Sequence, residues 1–203
     1  VIPSLFPADL GDLLTLSADG SRVARVVPVD WNPEEPKKNR LGPLGVQIWD
    51  TRGRPIRKLV PPPFKYDTSD KLPSPQSHRV ALSQNGRSVA LLRGKTLTVW
   101  EVDTGKLLYN EPLIAPESVV RVVLSPGGDL AAVIRRNDAN AVCQLIGLRN
   151  PTDPQVQRPE IVLDDSNEWV NADDPFFSPD GSRIALVWHL TSRPGEPSRA
   201  RLG

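Results

Sequence analysis

Between Val80 and Tyr109, apolar and polar residues alternate in short runs, and each run closes on a turn signal. Val80-Ala-Leu82 is the first run, Ser88 to Leu92 the second, Thr96 to Glu101 the third and Lys106 to Tyr109 the fourth. The connections are Gln84-Asn85-Gly86, Arg93-Gly94-Lys95 and Asp103-Thr104-Gly105. Period-two runs bounded by Asn-Gly and Asp-x-Gly predict strands joined by tight hairpins. A single meander of this kind cannot bury both of its faces, so it needs neighbours like itself.

The rest of the chain supplies them. A Leu/Phe-Ser-x-x-Gly element recurs as Leu16-Ser17-Ala18-Asp19-Gly20, Leu82-Ser83-Gln84-Asn85-Gly86, Leu124-Ser125-Pro126-Gly127-Gly128 and Phe177-Ser178-Pro179-Asp180-Gly181. Each copy is followed by an apolar return strand: Arg22 to Val27, Ser88 to Leu92, Leu130 to Ile134 and Arg183 to Val187. The Ser is suited to bonding local backbone, and the Gly to the positive φ of a tight turn. The unit is roughly forty residues long, with insertions. Two units add a second marker, an alternating strand ending in Trp and an acid: Val46 to Asp50, with Trp49 and Asp50, and Leu97 to Glu101, with Trp100.

These markers resemble the WD-repeat β-propeller family, whose blades carry this Ser-Pro-Asp-Gly turn and this Trp-Asp strand end. Phe177 to Ala185 is also similar to the repeats of TolB and of prolyl-oligopeptidase-type proteins. The third unit departs from the pattern, with Leu145-Ile146 at the Trp position, and the family's Gly-His pair is reduced to Ser77-His78 in one unit. The resemblance implies an all-β fold, a partial β-propeller of about three and a half four-stranded antiparallel blades. The whole of 1–203 is then one propeller fragment, with blades over roughly 13–60, 77–109, 117–163 and an incomplete one over 174–203. Residues 1–10 are expected to be the outer strand of a preceding blade. Overlaying the first and fourth units predicts that the chain stops before the third strand of its last blade, inside a longer protein.

Composition sharpens this. The 22 Pro and 14 Gly are spread along the chain as turn punctuation, as expected of an all-β protein. Charge is balanced, 25 Lys+Arg against 24 Asp+Glu, which argues against a nucleic-acid partner. No apolar run is long enough for a membrane helix, so no membrane insertion is expected in this segment. The single cysteine, Cys143, lies in the apolar run Ala141 to Ile146 and reads as a small core residue. It requires no oxidising compartment, and the cytoplasm is the expected location ahead of the periplasm or the exterior.

In a meander, alternate loops fall on opposite rims. One rim carries tight turns apart from the long loop Leu148 to Arg158; the other carries the insertions Pro28 to Leu44, Pro61 to Gln76, Asp164 to Asp174 and His189 to Gly203. Long loops in compact repeats carry function or disorder. The second rim is therefore the expected binding face for a protein or peptide. Its aromatic and basic groups are Trp31, Lys37, Lys38, Arg40, Lys65, Tyr66, Trp169 and Arg193. Pro-rich spacer loops with solvated charges are the other reading of the same residues.

Catalytic chemistry finds no purchase in the sequence. Arg93-Gly94-Lys95-Thr96 has Val89 where a phosphate-binding loop needs its first Gly. There is no Gly-x-Ser-x-Gly elbow. His78 and His189 have no Cys or His at ligand spacing, and Asp164-Asp165, Glu168 and Asp173-Asp174 lack the order of a calcium loop. The expectation is a non-catalytic scaffold or sensor without cofactor or metal. The alternative is the propeller gate of a prolyl-oligopeptidase-type hydrolase, or a TolB-like periplasmic protein.

Overall fold

The structure is a computed structural model that describes residues 14–29, 44–62, 78–94, 96–113, 118–136, 141–148, 160–164, 169–172, 175–191 and 199–202. Every regular element among them is a β-strand. The first sheet is β1 (Leu14–Leu16), β2 (Arg22–Pro28), β3 (Leu44–Asp50) and β4 (Pro55–Leu59), in that spatial order. The second is β5 (His78–Leu82), β6 (Ser88–Arg93), β7 (Thr96–Glu101) and β8 (Leu107–Pro112). The third repeats the order with β9 (Ser118–Leu124), β10 (Leu130–Arg136), β11 (Ala141–Gly147) and β12 (Glu160–Asp164). All neighbours pair antiparallel, as short hairpin connections require.

The fourth unit is built from β13 (Trp169–Ala172), β14 (Phe176–Phe177), β15 (Ile184–Ala185), β16 (Val187–Thr191) and β17 (Arg199–Leu202). β14 and β15 form a two-stranded ladder, and β13, β16 and β17 a three-stranded one. Two details differ from the sequence pattern. Residues 169–172 form a strand inside the stretch read as a loop; acids on both sides hide a strand of only four residues. The unit also possesses a third strand, because Arg199–Leu202 pairs with β16 sooner after the second strand than the first unit does. Ala200 and Leu202 are too few apolar positions to announce it.

The sheets stack face to face, and the period of two decides which neighbour each side chain meets. In β6, Val89 and Leu91 pack with Ala24, Val26, Val46 and Ile48 of the first sheet. Ala90 and Leu92, between them in sequence, pack with Val122, Leu124, Ala131 and Val133 of the third. A sheet covered on both faces therefore reads as a nearly continuous apolar run, as Val89 to Leu92 does. Burial of each Leu or Val here is worth about 1.5–3 kcal/mol. Cys143 is fully buried with Ala132 and Ile134 in the next layer, against Leu186 and the partly buried Phe177 and Ile184 of the fourth unit.

Each sheet turns its first strand to the same cavity. Leu14 and Leu16 of the first sheet occupy the positions of Val80 and Leu82 in the second, relative to the motif serine. Val80 and Leu82 are buried against the first sheet, whereas Leu14 and Leu16 remain 46% and 57% exposed.

Candidate functional site

The four Ser-x-x-Gly elements form four equivalent corners. At each, the Ser amide donates to the carbonyl five residues on: Ser17 to Arg22, Ser83 to Ser88, Ser125 to Leu130 and Ser178 to Arg183, all at 2.9 Å. The reciprocal amides of Arg22, Ser88, Leu130 and Arg183 donate to the serine hydroxyls at 3.0, 2.9, 3.0 and 2.9 Å. The corner Gly amide donates back to the Ser carbonyl in every copy, with φ of 68° at Gly20, 65° at Gly86, 71° at Gly128 and 72° at Gly181.

A side-chain oxygen finishes each corner. The hydroxyls of Ser17, Ser83 and Ser178 donate to Asp19, Asn85 and Asp180, two residues on, at 2.7, 2.9 and 2.5 Å. The third corner has Gly127 at that place, and Ser125 donates instead to Asp129, four residues on, at 2.7 Å. Hydroxyl and amide donors stabilise the carboxylate form. The carboxyl of Asp180 is held down at about 2 chiefly by Ser178, then by the Ser182 amide. That of Asp19 is lowered chiefly by Ser17, then by the Ser21 amide.

The corners also lock one sheet to the next. Arg22 of the first sheet donates to the Asp103 carboxylate of the second at 2.7 Å, and Arg57 donates to the Asp103 carbonyl at 2.6 Å. The Asp19 amide donates to the Gln84 carbonyl at 3.2 Å, joining corner to corner. Gln84 in turn reaches the Phe177 carbonyl at 3.5 Å.

At the centre, β1, β5, β9 and β14 line one cavity of about 360 Å³. Its wall mixes polar and apolar groups, the apolar ones including Leu14, Leu16, Val80, Val122 and Phe176. Its charged members, among the described residues, are Arg79 and Arg121. Asp19, Gln84, Asn85, Pro126 and Pro179 of the four corners surround a shallower recess at the corner rim. We take this central funnel as the candidate site. Arg79 and Arg121 both stand four residues before the motif Ser, on strands β5 and β9. That register was the signal available in the sequence; scattered basic residues show no stripe until the copies are aligned on their serines.

The sequence-predicted rim residues fare differently. Trp31, Lys37, Lys38, Arg40, Lys65, Tyr66 and Arg193 lie outside the described residues. Trp169 begins β13, where it pairs with Thr191, and so belongs to a strand rather than to a loop. Of the repeat markers, Trp100 is buried between the first two sheets. Trp49 is half-buried on the opposite face of the first sheet, across from Val23. Asp50 anchors its own turn, accepting from the Arg52 and Arg54 amides and from the Arg54 guanidinium. Arg93 and Gly94 form a hairpin turn, with Gly94 at φ 57°.

No family model matches the chain, and none of the curated proteins does. Solved structures do match. Hydrazine synthase of Kuenenia stuttgartiensis is 14% identical with a TM-score of 0.54, over 100% of this chain and 48% of that one. TolB of Acinetobacter baumannii is 15% identical with a TM-score of 0.51, over 95% of this chain and 40% of that one. A TolB-type protein of Agrobacterium tumefaciens is 14% identical with a TM-score of 0.51, over 92% and 58%. The chain folds as part of a β-propeller. It spans about half the length of the propeller proteins it matches, and at these identities the likeness is one of fold. In propeller terms β1, β5 and β9 are the inner strands of their blades, and the cavity they share lies where the central channel runs.

Proposed function

We propose that this propeller segment is a non-catalytic interaction module that holds a protein or peptide at its central funnel and over its loop-bearing rim. The observation that carries this reading is the convergence of four inner strands on one open cavity. The polar side chains of the corners are spent mainly on closing their own turns, while the funnel keeps exposed apolar groups beside two arginines. Such a mixture of apolar surface and a few directed polar groups suits recognition of a ligand. Trp49-Asp50 and Trp100-Glu101 favour a WD-repeat-like kind of blade within the propeller class. Trp31, Lys37, Lys38, Arg40, Lys65, Tyr66, Trp169 and Arg193 are the rim groups assigned to partner contact.

Selection of a random displayed-peptide library on the full 203-residue chain tests the module. The expected result is a family of related peptides whose binding is weakened by replacements at the funnel or by Trp31→Ala and Trp169→Ala. Selection that yields no enriched family, or peptides indifferent to all these replacements, overturns the reading.

A further inference from the structure

We infer that the funnel is a carboxylate site, in which Arg79 and Arg121 receive an acidic side chain of an extended peptide. This rests on the interaction-module reading and deepens it by naming the ligand chemistry. Arg79 and Arg121 come from adjacent blades at the same register, so the fold repeats an arginine at one position of the inner strands, and both line the one cavity. Arg79 shares the face of Ala81, toward the third sheet. Arg121 shares the face of Val123, toward the fourth unit. The two therefore follow one another around the axis rather than lying on one strand.

Three physical points converge on an acidic peptide. A guanidinium carries five N–H donors in a planar fork, so it can hold a neighbouring protein group and still present donors to a ligand carboxylate. The same cavity is lined by exposed apolar side chains, Leu14, Leu16 and Phe176, beside its polar groups. A charge pair formed against such a wall is screened less than one in open water. Finally, β1, β5 and β9 are terminal strands of their sheets. Among the described residues each has one backbone edge without a ladder partner, which offers donors and acceptors to an extended chain. Leu14 and Leu16 then favour apolar residues beside the acid, giving a ligand that alternates acidic and apolar side chains. Four residues before the motif Ser of the fourth unit the sequence has an acid, Asp174, which lies outside the described residues.

The test uses the full chain and a fluorescein-labelled octapeptide of alternating Glu and Leu, with a Gln-Leu twin as control, read by fluorescence anisotropy. The Glu-Leu peptide is expected to bind and to weaken with added salt, and the Gln-Leu twin to bind at least tenfold less. Arg79→Gln and Arg121→Gln are each expected to weaken binding by about tenfold or more, the usual scale of a lost charge-assisted hydrogen bond. Arg79→Lys and Arg121→Lys keep the charge and retain part of the affinity; they also distinguish a binding defect from a folding defect, which near-ultraviolet circular dichroism checks. Equal binding of the two peptides, or no binding of the Glu-Leu peptide at millimolar concentration, overturns the inference. So does unchanged affinity in well-folded Arg→Gln variants. If library-selected peptides depend on Trp31 and Trp169 but not on the arginines, the module stands and the carboxylate site falls.

Discussion

Gly128 of the third corner lies against Ser88 of the second sheet so closely that a Cβ on it would be 2.2 Å from the Ser88 hydroxyl oxygen and 2.6 Å from its Cβ. A Cβ on Gly86 would be 2.9 Å from Cδ of the flexible Arg22 side chain of the first sheet, and one on Gly181 an ordinary 3.4 Å from Pro126. Gly128 thus serves the turn and the joint between blades at once. Gly20, whose corner begins the described series, has nothing within 4 Å.

This separates two costs that usually travel together. Gly20→Ala bears the positive φ alone, about 1–2 kcal/mol. Gly128→Ala bears that cost and a further 1–3 kcal/mol or so for displacing Ser88. Urea denaturation of the two variants is expected to show Gly128→Ala as clearly the more damaging. Equal losses would mean that the joint between sheets yields to a methyl group.

Burial grades the four serines in the same way. Ser83 is fully buried, and its hydroxyl accepts from the Ser88 amide at 2.9 Å. Ser83→Ala leaves that amide without its partner in a dry place, at a cost of about 1–3 kcal/mol. Ser178 makes the same bond to the Arg183 amide in a solvent-accessible corner, where water replaces the hydroxyl. Ser178→Ala is expected to cost less than Ser83→Ala, what remains being the loss of the hydroxyl bond to Asp180. A thermal-melting series over the four Ser→Ala variants checks the order, with Ser83 the most costly.

The repeat was legible in the sequence because its chemistry is local. A Ser, a Gly and the apolar strand after them are fixed by one turn, and nothing distant is needed to recognise them. The faces to which Val89 and Ala90 turn were not legible, because a sheet covered on both sides leaves an apolar run without alternation. The funnel was less visible because no single segment makes it: Arg79 and Arg121 come to one cavity only when separate blades are set around one axis. The third corner hid its acid for a smaller reason. With Gly127 in the usual place, Asp129 takes over from further along the chain, and only the coordinates show that it does. β13 and β17 escaped because strands of four residues are too short to carry a periodic signal.

Acid should loosen the corners, and the sign follows from the carboxylates. Asp180 has its pKa lowered from 3.8 to about 2 by the Ser178 hydroxyl and the Ser182 amide, and Asp19 is lowered by the equivalent Ser17 and Ser21 groups. A group with a depressed folded-state pKa contributes its stability above the unfolded value, and loses it as pH falls through the folded one. The contribution is therefore intact above about pH 4 and disappears toward pH 2. The second corner uses the amide of Asn85 and has no such dependence. Urea midpoints measured from pH 6 to pH 2 are expected to fall below about pH 4 in the parent chain, and to fall less in an Asp19→Asn, Asp180→Asn double variant. A variant with an undiminished fall would place the acid sensitivity elsewhere.

Cys143 provides a readout of whether the third sheet and the fourth unit stay joined. Its side chain is fully buried among Ala132, Ile134 and Leu186, and burial pushes the thiol up from 9.0 to about 11. The thiolate is the reactive form, so at neutral pH the residue is shielded twice, by cover and by protonation. An aromatic disulfide reagent is expected to leave the folded chain unmodified over hours and to titrate one thiol at once in denaturant. Rapid labelling without denaturant would show that the fourth unit opens from the third sheet. Leu186→Ala sharpens the test: it removes cover from this layer and is expected to cost about 2–5 kcal/mol. Labelling in native buffer should then accelerate, and an unaltered rate would show that Leu186 is not what shields the thiol.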